Sequence, residues 1–115
     1  MAKLPALSFC LLVVSFITVA TFTLAHEEKT WCVAKPSTDE IALQNNIEYA
    51  CTNVECSTFL QPGCPCFTPD NRFNHASVAM NVYYQRQGRN QWNCDFNNSA
   101  IVTVTDPSYG GCVYE

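Results

Sequence analysis

Seven of the chain's eight cysteines fall between residues 32 and 112, and no other feature narrows the fold as much. A domain this short buries too little apolar surface to be stable by packing alone, and secreted chains of this size make up the difference with disulfides. Each bridge contributes on the order of 2–4 kcal/mol, chiefly by restricting the unfolded chain. Cys32, Cys51, Cys56, Cys64, Cys66, Cys94 and Cys112 make an odd set, and their spacing alone does not choose a pairing.

The eighth cysteine, Cys10, lies in an apolar run from Leu4 to Leu24 that follows Lys3, and Thr23-Leu24-Ala25 puts small residues where signal peptidase reads. This predicts a secretory signal peptide over residues 1–25 and a mature domain over 26–115. The competing expectations are a membrane-anchoring helix, since the run is just long enough to span a bilayer, and cleavage after Ala20. Six Lys and Arg face ten Asp and Glu, a net charge of −4, and loss of Lys3 with the leader makes the remainder more negative. Such a balance offers no footprint for nucleic acid or anionic lipid. Only three residues follow Cys112, so no GPI anchor and no membrane attachment after cleavage are expected.

Trp31–Pro36 predicts a short extended segment. Ser37-Thr38-Asp39-Glu40 has the form of a capping box, with Leu43, Ile47, Ala50 and Cys51 on one helical face behind it, so a first helix is expected over about 38–51. Turn formers fill residues 51–71. A second helix is expected over about 74–86 with Asn74 as its cap and Gly88 near its end. Ile101–Thr105 is β-branched throughout and predicts a strand, and Cys112–Tyr114 predicts a second short one after the turns at Asp106-Pro107-Ser108 and Gly110-Gly111.

The second helix contains adjacent tyrosines, which project about 100° apart. On a helical wheel Ala76, Ala79, Met80 and Tyr83 share one side, and Ser77, Asn81 and Gln85 the other, with Tyr84 at the border. That arrangement predicts Tyr83 in the core and Tyr84 beside a strip of neutral hydrogen-bonding groups. An aromatic face flanked by amides and hydroxyls suits a sugar ring. Tyr84, Asn81, Gln85 and Ser77 are therefore the expected carbohydrate contacts, against the simpler reading of Tyr84 as a half-buried amphipathic residue.

The segments "WCVAKP" (31–36), "LQNNIEYAC" (43–51), "CFTPDN" (66–71), "HASVAMNVYYQ" (75–85), "NCDF" (93–96) and "TDPSYGGC" (105–112), taken together and in order, closely resemble the X8 domain, carbohydrate-binding module family 43 of plant proteins. The resemblance implies an α+β fold, a small disulfide-rich domain of two packed helices and a small antiparallel sheet. It implies binding of β-1,3-glucan, the polymer of callose, without catalysis and without a cofactor, by a protein of the cell wall, apoplast or plasmodesmata. Because no glucanase domain fits the length, the chain is similar to the free-standing form of the family. The family's pairing carries over as Cys32–Cys94, Cys51–Cys56 and Cys66–Cys112. Cys64 is then left as an unpaired thiol, in a domain expected to be a monomer unless Cys64 links two copies.

Rival readings are weaker. A lipid-transfer or defence protein without glucan binding shares the size and cysteine content, but the adjacent cysteine pair of lipid-transfer proteins is missing. Glycosidase chemistry needs two carboxyl groups across the scissile bond, whereas Asp95 and Asp106 have the setting of turn residues. His75 reads as a structural hydrogen-bonding group, and Cys64, Cys66 and His75 as an implausible zinc set in an oxidising compartment. No metal is expected, including copper at a new amino terminus on His26. Asn97-Asn98-Ser99 is an N-glycosylation sequon, equally readable as a turn. Trp31 and Trp92 are expected to pack on the Cys32–Cys94 bridge, and Phe67 and Phe96 in the core.

Overall fold

A computed structural model describes Cys10 and residues 28–115; apart from Cys10, the expected leader lies outside the described residues. Strand β1 (Trp31–Ala34) is followed by helix α1 (Glu40–Asn53), helix α2 (Arg72–Arg86) and strand β2 (Ala100–Thr103), with short 3-10 turns at Cys56–Thr58, Pro65–Phe67 and Gln91–Cys94. β1 and β2 pair antiparallel with Cys32 opposite Val102. This is the small α+β domain expected. The second strand predicted over Cys112–Tyr114 reduces to one bridge between Tyr109 and Cys112. β2 stops at Thr103 because the chain turns there: Thr105 N–H donates to Thr103 Oγ1 at 3.0 Å, and Asp106 Oδ1 accepts from Ser108 N–H at 2.9 Å. The Ser108 bonds hold the Asp106 carboxyl below its usual range.

Both helices start elsewhere than at the expected caps. Asp39, not Ser37, caps α1 by accepting from Ala42 N–H at 2.8 Å. Glu40 is then free to pair with Arg72 at 3.0 Å. Asn71, not Asn74, caps α2. Asn74 is instead buried, donating to the carbonyls of Cys66 and Pro69. Glu40 meets Arg72 at the helix starts and Tyr49 meets Tyr83 near their ends, so the two helices run parallel. Ala76 and Ala79, buried and without bulk, lie on the same face of α2 as Arg72 and Tyr83 and permit close approach of α1. Gly88, at φ +104°, reverses the chain after α2 where a side chain would be strained.

α2 is the centre of the domain. α1 covers one face, β1 a second, and the C-terminal segment a third through the cluster of Trp31, Val78, Cys112 and Tyr114. The other cluster joins Cys32, Leu43, Met80, Tyr84, Cys94 and Ala100. The family's bridges are formed as Cys32–Cys94, Cys51–Cys56 and Cys66–Cys112. The first and third close loops of 62 and 46 residues, the second one of 5. In the chain-entropy account the two long loops contribute most. Cys64 is buried and bonded to Cys10 of the expected leader; the unpaired thiol is expected for the chain without residues 1–25, which lacks that partner.

The polar strip of α2 explains how β1 is held. In an antiparallel pair alternate residues turn their amides away from the partner, and here those of Cys32 and Ala34 point at α2. Cys32 N–H donates to Asn81 Oδ1 and Ala34 N–H to Ser77 Oγ, each at 3.0 Å, while Gln85 Nε2 donates to Thr30 O at 2.8 Å. Helical positions i, i+4 and i+8 advance about 6 Å per step, and alternate strand residues about 6.6 Å, so three helical side chains register with three strand positions. The helix thus covers one edge of β1 as a neighbouring strand would. Among the described residues Asn81 Nδ2 has no partner, which places the residue's contribution in its oxygen. Asn81→Leu should cost about 1–3 kcal/mol, because the Cys32 amide is left buried without an acceptor. Equilibrium denaturation measures this, and an unchanged midpoint would remove the strand-covering role.

Candidate functional site

The four residues expected to contact sugar are brought together by α2, but they face inward. Ser77 is 2 % exposed, Asn81 0 % and Tyr84 2 %, and Gln85 is half-buried on Thr30. The Tyr84 hydroxyl lies 2.7 Å from Thr30 Oγ1. The assignment of the two tyrosines is therefore reversed: Tyr84 is core, and Tyr83 is the half-exposed ring. The hydrogen-bonding strip is polar because β1 needs acceptors there, not because it meets solvent.

Tyr83 packs against Tyr49 near the end of α1, a residue 54 % exposed. Phe96 completes a triad in which each pair is edge to face. Centroids are 5.4 Å apart for Tyr49–Tyr83, 5.8 Å for Tyr83–Phe96 and 6.1 Å for Tyr49–Phe96. Phe96 also rests on the core and is half-buried, so the expected burial holds in part. Such contacts hold rings in fixed mutual orientation and contribute about 0.5–1.5 kcal/mol per pair. Tyr49 lies off the Leu43–Ala50 face of α1, and that offset was the available sequence signal for an exposed aromatic. Trp92, expected against the Cys32–Cys94 bridge, is 75 % exposed in the Gln91–Cys94 turn. Trp31 is buried, but in the cluster with Cys112.

The Tyr49 and Tyr83 hydroxyls are 3.3 Å apart. That bond, then burial, then the neighbouring Tyr49 charge raise the Tyr83 pKa, with the Asn93 amide acting in the opposite direction. The neutral phenol is the favoured form in the folded state. Its contribution to stability is complete below the unfolded value near pH 10 and is lost as pH rises through the higher folded value. Tyr49→Phe should bring the Tyr83 titration down, which the rise of tyrosinate absorbance with pH reads directly; an unshifted curve would disprove the coupling.

Two recesses elsewhere fit a sugar less well. A groove of about 600 Å³ runs along α1 from Glu40 to Cys51 beside the start of α2, with Gln44, Ile47, Arg72 and His75 in its lining. Its polar heads already have partners, with Arg72 on Glu40 and Gln44 and His75 Nε2 at 2.7 Å from Phe67 O, and among the described residues no Tyr, Trp or Phe ring lines it. That bond agrees with a structural role for His75. A cavity of about 390 Å³ is mostly apolar and has Cys10 in its wall. Among the described residues no cluster of three metal-binding side chains occurs, and no helix is long and apolar enough to cross a membrane.

Residues 30–101 match the X8 domain. The chain belongs to the X8 domain family. Its relatives include a glucan endo-1,3-beta-D-glucosidase of Olea europaea, 49 % identical over 72 % of this chain but only 18 % of the relative. Major pollen allergen Ole e 10 of the same plant is 41 % identical over 75 % of this chain and 71 % of the allergen. Plasmodesmata callose-binding protein 2 of Arabidopsis thaliana is 37 % identical over 77 % of this chain and 46 % of its own length. This X8 chain thus spans less than a fifth of the glucosidase, the part of that enzyme that is similar to it. Membership in the X8 family also decides against the lipid-transfer architecture.

Proposed function

We propose that the protein is a secreted, non-catalytic module that binds linear β-1,3-glucan at the plant cell wall, with Tyr49, Tyr83 and Phe96 as the sugar-stacking face. The observation that carries this reading is the triad itself: three rings held edge to face, half open to solvent, with two neutral phenols among them. Sugar C–H groups stack on such faces, while hydroxyls exchange hydrogen bonds with the phenols. The names of the callose-binding and glucosidase relatives supply the choice of polymer. Removal of residues 1–25 on secretion belongs to the same proposal.

Affinity electrophoresis in laminarin, against cellulose and starch gels, tests the reading, with a reducing-sugar assay alongside. The protein should be retarded by laminarin alone and release no sugar. Because glucan is uncharged, retardation should change little with added salt, unlike binding that depends on exposed charge. Equal mobility in all gels refutes glucan binding, and released sugar refutes the non-catalytic assignment.

A further inference from the structure

We propose that Asn97 carries an N-linked glycan and that this glycan shields the Tyr49–Tyr83–Phe96 face, so that its presence or removal sets how strongly the face binds. The inference rests on the reading of that face as the glucan site.

Asn97, Asn98 and Ser99 form the sequon, and the structure separates their tasks. Phe96, Asn97 and Asn98 have φ of +44°, +57° and +65°, a left-handed run that asparagine tolerates better than most residues. Asn98 Oδ1 accepts from Lys35 Nζ at 3.1 Å. Ser99 Oγ donates to Phe96 O at 2.6 Å and accepts from Asn46 Nδ2 at 2.8 Å. Asn97 is exposed, and its side chain takes part in none of the hydrogen bonds of the described residues. Asn97 is therefore the residue of the three whose side chain the fold does not use in a hydrogen bond, and a glycan on it breaks none of those bonds. Ser99 is occupied once the turn has closed, so transfer takes place on the nascent chain. In that step Asn97 Nδ2 bonds to the reducing-end carbon of a lipid-linked oligosaccharide, releasing the lipid pyrophosphate and a proton.

The position of Asn97 gives the glycan its effect. Asn97 follows Phe96 directly, with the two Cα atoms about 3.8 Å apart, and Phe96 touches both tyrosine rings. An oligosaccharide rooted one residue from Phe96 is long enough to reach across the aromatic face, and it has the same stacking chemistry as the polymer proposed to bind there.

The test compares protein secreted from a glycosylating plant cell line with Asn97→Gly from the same cells. Glycine suits the left-handed backbone and abolishes the sequon. Glycopeptide mass spectrometry should find Asn97 occupied. Hydroxyl-radical footprinting should show Tyr49 and Tyr83 protected in the glycosylated protein and labelled severalfold more in the variant, and laminarin should bind the variant severalfold more tightly. An unmodified Asn97, or equal labelling of the tyrosines in both proteins, overturns the inference. Protection of the tyrosines with laminarin binding by neither protein supports the shielding and refutes the glucan reading, so the two failures are told apart.

Discussion

Tyr84→Ala should lower the thermal midpoint by on the order of 20 °C, the largest loss expected from a single change outside the disulfides. The ring is 2 % exposed and packs among Cys32, Leu43, Met80, Cys94 and Ala100, so truncation leaves a cavity where α2, β1 and a disulfide converge. Losing a buried aromatic costs about 3–5 kcal/mol, a large part of the stability of a small domain. The hydroxyl adds a smaller share through Thr30 Oγ1 at 2.7 Å, so Tyr84→Phe should cost only about 1 kcal/mol. Thermal and urea unfolding with the disulfides intact measure both. A Tyr84→Ala protein that melts with wild type would show that the ring is not the core residue its burial indicates.

Tyr49→Ala and Tyr83→Ala should each weaken laminarin binding by about tenfold or more, equivalent to loss of about 1.4 kcal/mol of stacking and hydrogen bonding. Tyr49 is the cleaner probe. At 54 % exposure it carries little of the core, so its removal should leave the unfolding transition nearly unchanged. Tyr83→Ala also removes the ring on which Tyr49 and Phe96 lean, and some stability should go with it. Tyr83→Phe keeps the ring and removes the hydroxyl bond to Tyr49, which separates stacking from hydrogen bonding. Normal binding by Tyr49→Ala would move the sugar site away from the triad.

The contrast between Tyr83 and Tyr84 shows where sequence reasoning stops. A wheel gives the angle between side chains without saying which direction is outward. Polar residues usually mark the outward side, and on α2 Ser77, Asn81 and Gln85 marked the wrong one. They meet β1, whose amides at Cys32 and Ala34 would be buried without them. A central helix with neighbours on three faces has no single solvent stripe, and its amphipathic pattern reports which neighbour is polar. Trp92 was misplaced for a related reason. Adjacency in sequence to Cys94 did not require adjacency of the indole to the bridge, and the 3-10 turn sends it outward.

The sequence by itself determined the fold class, the existence and order of both helices, β1 and β2, and the turn at Asp106, because periodicity, β-branching and short-range side-chain bonds act within a few residues. Through its family likeness it also determined the three bridges that tie these elements together. Which asparagine or aspartate caps each helix, which tyrosine is buried, and that Tyr49, Tyr83 and Phe96 form one face were decided only by the tertiary structure. Those outcomes rest on contacts between residues 30 or more positions apart in several cases, such as Glu40 with Arg72 and Tyr49 with Tyr83. The physical reason is that a side chain's environment is set by what packs across from it, and no local pattern encodes the partner.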